Sequence, residues 1–407
     1  MTATPPSLVQ LKPNPNWARL PLFNRKNWSR VRFGDVVKQL KEQVDPVADG
    51  VERYVAGEHM ETENVHIRQW GNVGDGYLGP AFIRGFRKGQ VLYGSRRTYL
   101  KKVAVAEWDG VTANTTYVLE ADETKLLQRL LPWLMLSEKF TRHSVQESKG
   151  STNPYINFPD IAKFEFDLPP LDHQRRISEI LWAVDEVHAK FSSTLENAVS
   201  LRRAHLRFAF DGKTKHKMMR VRETGEVQLG RQRAPKYQSG DWTKPYLRVA
   251  NVFDGFFDYS DVLQMDFDKR DFETFRLREG DILLNEGQSR ELVGRCAIYD
   301  GAIKDCCFQN TLIRYRAGES VSTEYAFAFF QHCFHSGVFA AISSQTTSIA
   351  HLGSDRFGGL SMPVPSKPEQ KKIAEEFARN RKVETDIAEH LGRVRKLQET
   401  LINTICA

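Results

Sequence analysis

The sequence predicts an α+β protein in which two homologous mixed domains alternate with two long helices that pair as an antiparallel coiled coil. Three observations carry this expectation. In Leu171–Phe210 the apolar residues Ile177, Leu181, Val184, Phe191, Leu195 and Ala198 recur at steps of three, four or seven, which keeps one narrow seam on one side of a helix. Pro169 and Pro170 precede this stretch and Gly212 follows it, so nothing inside breaks the helix. The chain ends on a second copy, Lys367–Ile405, with its seam at Ile373, Phe377, Ile387, Leu391, Val394, Leu401 and Ile405. The two helices also begin alike. LPPLDHQRRISEIL (Leu168–Leu181) lies over VPSKPEQKKIAEEF (Val364–Phe377) without a gap, which puts Gln174 on Gln370 and Ile177 on Ile373. That shared Pro-x(4)-Gln spacing argues for an internal repeat over two unrelated amphipathic helices.

The third observation is that the regions before each helix repeat as well. YLRVANV (Tyr246–Val252) matches YVAGEHM (Tyr54–Met60), LREGDILL (Leu277–Leu284) matches FRKGQVLY (Phe86–Tyr93), and NTLIRY (Asn310–Tyr315) matches NTTYVL (Asn114–Leu119), at offsets of 192, 191 and 196. In order, residues 1–25 carry five prolines and no sustained period and read as an extended arm, with Trp17, Leu20 and Phe23 available for docking. Residues 26–170 form the first domain, with strand-like pieces at Tyr54–Met60, Gly89–Ser95, Lys101–Trp108 and Thr115–Glu120. A helix is expected at 123–140, bent or divided at Pro132. Residues 171–213 are the first long helix and a basic connector, 214–365 the second domain, with Tyr325–Ser336 in the place of the helix around Trp133, and 366–407 the second long helix.

Composition bounds the function without deciding it. A chain of 407 residues and formal charge +7 has room for two or three domains and suits a polyanionic partner, though many proteins with that charge touch no nucleic acid. No stretch matches a membrane helix or a signal peptide, so a cytoplasmic location is expected. The five cysteines, Cys296, Cys306, Cys307, Cys333 and Cys406, show no CxxC spacing and read as small buried hydrophobes.

A helix of this length runs roughly 55 Å at ~1.5 Å per residue, too far to bury its seam on one globular domain. Mutual pairing makes a rigid spacer with a domain at each end; separate docking of each helix on its own domain or on a partner subunit is the alternative. Duplex DNA fits such a spacer, since the length corresponds to about one and a half helical turns. Four polar loops have the matching chemistry. SRRTYLKK (Ser95–Lys102) offers Arg96, Arg97, Tyr99, Lys101 and Lys102, and QESKGSTNPY (Gln146–Tyr155) offers Ser148, Lys149, Ser151 and Thr152. In the second domain NEGQSRELVGR (Asn285–Arg295) offers Gln288, Ser289, Arg290 and Arg295, and SSQTTSIAH (Ser343–His351) offers Gln345, Thr346, Thr347 and His351, with Arg248 and Asn251 from YLRVANV. Arginine and lysine grip phosphates or guanine, and amides suit adenine. Any one such loop is ordinarily solvated surface; their recurrence in equivalent places is the signal.

No catalytic constellation stands out. Gly212-Lys213-Thr214 ends like a phosphate loop, but position 207 is arginine instead of glycine and a helix, not a strand, precedes it. Asn153-Pro154-Tyr155 lacks the second proline of an amino-methyltransferase motif and reads as a turn. Asp160, Glu165 and Asp167 have no lysine at nuclease spacing, and His332, Cys333 and His335 read as filling.

With the repeat, the Pro-x(4)-Gln starts and the LREGDILL and YLRVANV segments together, nearly everything after the arm resembles a specificity (S) subunit of a type I restriction-modification system. GSTNPYINFPDIAKFEFDLPP (Gly150–Pro170) is similar to that family's close of a target-recognition domain, and Thr347–Pro365 is a looser match. The resemblance implies that each target-recognition domain reads half of a bipartite double-stranded DNA site. It further implies that the helices set the unread gap and dock two methyltransferase (modification) subunits, and that ATP-dependent restriction motor subunits join. No cofactor is implied in this chain; S-adenosylmethionine, ATP and magnesium belong to the partners. Lys367 and Pro368 depart from the leucine and acidic residue common there, and the arm is longer and richer in proline. Two other classes compete with this non-enzymatic reader. A fused methyltransferase or nuclease would need a glycine-rich cofactor loop beside an Asn/Asp-Pro-Pro-Tyr/Phe motif. A protein-bridging scaffold or phage-defence adaptor would use the same architecture without reading DNA.

Overall fold

Each long helix begins on a buried glutamine, and that residue shows how helix and domain are joined. The computed structural model describes residues 24–211, 216–234, 240–345 and 348–406, so most of the arm and the 212–214 segment lie outside the described residues. Gln174 is 0% exposed; its Nε2 donates to Pro169 O at 2.8 Å and Lys125 O at 2.7 Å, and its Oε1 accepts from Leu127 N at 2.9 Å. Gln370, 1% exposed, repeats this: Nε2 donates to Pro365 O at 3.0 Å and Ser320 O at 2.9 Å, and Oε1 accepts from Ser322 N at 3.0 Å. The buried amide satisfies partly buried backbone groups of the loop that leads into each domain's helical pair.

The chain divides into two compact units, one of residues through Ser192 with those from Glu389 onward, the other Ser193–Ala388. In the first, Ser29–Arg32 pairs antiparallel with Glu165–Leu168, the strand that leads into the long helix. A four-stranded sheet follows in the order Val37–Leu40, Thr116–Ala121, Val91–Gly94, Val103–Val105. A second sheet holds Gly71–Asn72, Arg53–Val55, Gly110–Ala113 and Phe82–Phe86, with Arg53–Val55 and Gly110–Ala113 parallel.

The second unit, taken by itself, has the same plan. Lys217–Arg220 pairs with Ser361–Val364, and a sheet runs Gly225–Leu229, Leu312–Ala317, Ile282–Asn285, Cys296–Ile298. Another runs Leu263–Asp266, Thr243–Leu247, Cys307–Phe308, the last two again parallel. Consecutive residues such as Val91, Leu92, Tyr93 and Ile282, Leu283, Leu284 are all buried because both faces of these strands are covered, which is why no alternating pattern marks them.

The expected helix at 123–140 is corrected. Residues 123–130 are turn and irregular chain without helix, and helices span Leu131–Leu136 and Glu138–Gln146. Pro132 sits in the first turn, where its missing N–H costs nothing, and the division falls at Ser137, whose hydroxyl caps the second helix at Phe140 N, 3.2 Å. The counterpart, Thr323–His335, is one helix as expected.

The two long helices, Leu171–Phe210 and Lys367–Cys406, pair antiparallel within each unit. In the first, Ile177 and Leu181 share a core with Trp133, Leu401, Ile402 and Ile405; Asp185 Oδ1 accepts from Gln398 Nε2 at 3.3 Å; Phe191 stacks on His390 at 5.8 Å. In the second, Arg202 Nε donates to both Glu384 oxygens at 2.8 and 3.0 Å, His205 meets Asn380 at 2.9 Å, and Leu206 and Phe377 share a core. Ascending positions on one helix meet descending positions on the other. Polar contacts such as Asp185–Gln398 and His205–Asn380 punctuate the apolar seam, and the Arg202–Glu384 pair is the most buried ion pair in it, one whose direction fixes register more than it adds stability.

Gln174→Leu removes the side-chain partners of two carbonyls and one N–H, one of them fully buried, so it is expected to cost about 2 kcal/mol in urea unfolding of the first unit, and Gln370→Leu the same in the second. A loss under ~1 kcal/mol contradicts this role.

Candidate nucleic-acid interface

In each unit the chain leaves the central strand of the four-stranded sheet and forms a loop end. After Val91–Gly94, Ser95 N donates to Thr115 O at 3.0 Å; after Ile282–Asn285, Glu286 N donates to Thr311 O at 2.9 Å. The two loops singled out in each domain meet at this end.

In the first unit Arg96 forms a backbone bridge with Tyr155 and lays its guanidinium 6.0 Å from that ring, and Arg97 N donates to Pro154 O at 2.7 Å. Thr98 Oγ1 meets Ser148 Oγ at 3.3 Å. Lys149 and Tyr155 exchange backbone bonds of 2.7 and 2.9 Å, closing a turn that needs Gly150 at φ 85°. Lys149 Nζ and Lys163 Nζ each bind Asp160 at 2.9 Å, and those two ammonium groups hold the Asp160 carboxyl down at about 2. Arg96, Arg97, Tyr99, Lys149, Ser151 and Thr152 are exposed, as are Asn153 and Tyr155, which belong to the same surface. Two of the expected cations are engaged within the protein. Lys101 is turned inward, its side chain 13% exposed and paired with Glu63 and Glu138, and Lys102 donates to Gly57 O.

In the second unit Gly287–Gln288, Ala350–His351 and Ser344–Gln345 form a small three-stranded sheet, so the two loops are hydrogen-bonded together. His351 Nδ1 meets Glu286 at 3.0 Å, and Arg356 Nη2 donates to His351 O at 2.7 Å and Ser344 Oγ at 2.9 Å. Gln288 accepts from Ser289 N at 3.0 Å, Arg290 and Gln345 are exposed, and half-buried Arg295 lies 4.6 Å over Phe253. Thr346 and Thr347 lie outside the described residues. Arg248 and Asn251 are engaged within the domain: Arg248 pairs with Asp261, while Asn251, 1% exposed, accepts from Arg248 N at 3.0 Å and donates to Asp258 O and Asp261 O at 3.0 and 2.9 Å. An asparagine consumed by a turn has no edge left for a base.

One helix side chain braces each domain. Asp185 Oδ2 lies 2.7 Å from His66 Nε2, whose Nδ1 meets Glu107 at 3.0 Å. Arg381, at the equivalent position, stacks against Phe327 and Phe377 and points Nη2 at Asp254 O and Gly255 O, 3.4 and 3.5 Å. Gly255 is required there, since its φ is 80° and a Cβ would stand 1.8 Å from Arg381 Nη1. Burial alone would raise the Asp254 carboxyl, yet His335 at 3.1 Å together with Gln331 and Arg381 more than offsets it and holds it at about 2. Cys296, Cys306, Cys307 and Cys333 are buried and free, as expected. No described helix is long and apolar enough to cross a membrane.

The model of the family described as type I restriction modification DNA specificity domain matches residues 76–200 and 216–391, one stretch for each copy of the fold. The chain belongs to this family. Among curated relatives, the specificity subunit of type I restriction enzyme EcoDI from Escherichia coli is 27% identical over 200 residues, 46% of this chain and 42% of that protein. The MjaVIII specificity subunit of Methanocaldococcus jannaschii is 23% identical over 221 residues, 50% of this chain and 46% of the relative. The matched stretches thus span less than half the length of these relatives. In fold, the chain is similar to the crystal structure of a type I restriction-modification S subunit from M. genitalium, with TM-score 0.61, 13% identity, 96% of this chain and 98% of that one. A structure reported for complex assembly and conformational transition of the type I R-M system has TM-score 0.60, 18% identity and coverage of 93% and 97%.

The carboxylate of Asp185 first, then Glu107, raises the His66 pKa against the opposing effect of burial. A raised folded-state pKa means the pair stabilises fully below the unfolded value of about 6.5, and the contribution is lost as pH rises through the folded value. His66→Gln should therefore destabilise more at pH 6 than at pH 9, by about 0.5 kcal/mol once solvent screening is allowed for, read by urea unfolding at both pH values. Equal losses at both contradict the pairing.

Proposed function

We propose that the chain is the DNA sequence-specificity subunit of a type I restriction-modification complex, with residues 26–170 and 214–365 as target-recognition domains, each reading one half of a bipartite site. The observation that carries this is the recurrence of one loop end, built on the same strand order, in two copies within a chain of the specificity-domain family. In the first domain Arg96, Arg97 and Lys149 neutralise phosphates or meet guanine, while Tyr99, Ser148, Ser151 and Thr152 supply a stacking ring and short hydroxyl donors. In the second, Arg290 and Arg295 play the cationic part, and Gln288, Ser289, Gln345, Thr346, Thr347 and His351 read edges. The paired helices set the unread gap and dock two methyltransferase subunits, to which ATP-dependent restriction motor subunits add. The chain itself is non-catalytic, with S-adenosylmethionine, ATP and magnesium held by the partners.

The test is to co-express the chain with a type I methyltransferase subunit that it binds and select bound duplexes from a random pool. Two short motifs at a fixed gap are expected; unpatterned DNA with an active methyltransferase present contradicts the reading and favours a protein-bridging scaffold. With the selected site in hand, replacing Arg96 and Arg97 by alanine should weaken binding and reduce the log–log salt slope by about one to two, as two lost phosphate contacts require.

A further inference from the structure

Among the described residues four that are not glycine have positive φ, and three of them meet at one place: Glu63 at 56°, Arg97 at 49° and Lys101 at 46°. Left-handed backbone is costly for such residues and persists only where the surroundings hold it. Here Arg97 and Lys101 flank the single turn Thr98–Leu100, with Leu100 N bonded to Arg97 O at 2.8 Å and Lys101 N to Thr98 O at 3.0 Å. Glycine at either position would relieve the backbone, so what the arginine retains is its exposed side chain.

The tip is gripped from two sides. On one, Arg97 N donates to Pro154 O at 2.7 Å. On the other, Glu63 N donates to Lys101 O at 3.2 Å and Glu63 Oε1 accepts from Lys101 Nζ at 2.9 Å, while Oε2 accepts from Arg395 Nη2, also at 2.9 Å. One carboxylate thus ties the base of the loop to the second long helix, inside the first unit. Glu138 adds a further bond to Lys101, and Glu399 lies 3.4 Å from Arg395.

We infer that Glu63 is a positioning residue for recognition by the first domain, setting through Lys101 the geometry in which the Arg96–Tyr99 tip meets DNA; this rests on the reading proposed above. Glu63 touches no base. Its carboxylate holds two cations at once, which the neutral amide of Glu63→Gln cannot do with equal strength although its size is the same.

The experiment uses the full chain co-expressed with its methyltransferase partner and repeats the random-pool selection with wild type, Glu63→Gln, Arg395→Gln and the double variant Glu63→Gln/Lys101→Met. The half-site of the first domain is identified as the one that survives exchange of residues 214–365. Glu63→Gln is expected to lose about tenfold of base discrimination in that half-site, the size of one weakened base contact, with the other half-site, the gap and the salt slope unchanged. Arg395→Gln should act in the same direction, and the double variant should discriminate no worse than Glu63→Gln alone. A Glu63→Gln chain that selects the wild-type motif with wild-type discrimination, or loses discrimination equally in both half-sites, overturns the inference alone. A wild-type chain that selects no bipartite site overturns the underlying reading and the inference with it.

Discussion

A buried side-chain amide at the first turn of each long helix is the constraint on which the rest depends. A helix begins with backbone groups that lack partners, and here the same turn must also close a domain whose last strand ends at Leu168 or Val364. Gln174 and Gln370 meet the second demand with one donor pair and one acceptor each, tying the residues just before the helix to the domain's loop. Glutamate would bury a charge against two carbonyls and leucine would satisfy nothing, so the residue type follows from the geometry. Once that turn is fixed, the heptad seam has a defined phase relative to the domain. Asp185 and Arg381, about three helical turns further along, then reach His66 and the Asp254–Gly255 turn.

The same joint occurring twice explains how one architecture carries two different surfaces. Strand order, the parallel strand pair and the Ser95–Thr115 or Glu286–Thr311 bond are shared, and they bring the same two loops together in each unit. The loops themselves differ: an arginine-rich tip propped by left-handed residues in one, a three-stranded ribbon edged by Gln288 and His351 in the other. A repeated frame with unlike loop ends suits two independent readings of one long ligand.

Periodicity and repetition made the frame legible from sequence. The seams, the helix bounds and the equivalence of Gln174 with Gln370 follow from spacing alone, because a long exposed helix has few ways to bury a narrow stripe. Residues whose fate depends on distant partners were not legible. Lys101 reads as a surface cation in SRRTYLKK, and only the fold brings Glu63 and Glu138 to it; Asn251 reads as a base reader until its turn consumes the amide. Pro132 misled for a related reason, since a proline in an apolar run marks either a kink or a first turn and only the cap at Ser137 decides. Arg202 interrupts the apolar seam with no local sign that Glu384 answers it.

The central claim is that two independent readers are joined by helices that set a gap without taking part in reading. The most direct test inserts one heptad into each long helix, after Ser192 and after Ala388, so that the seam keeps its phase, and repeats the DNA selection with the methyltransferase present. Seven residues add roughly 10 Å of helix, so the account predicts a gap longer by about three base pairs with both half-site motifs unchanged. Altered half-sites at an unchanged gap would contradict it.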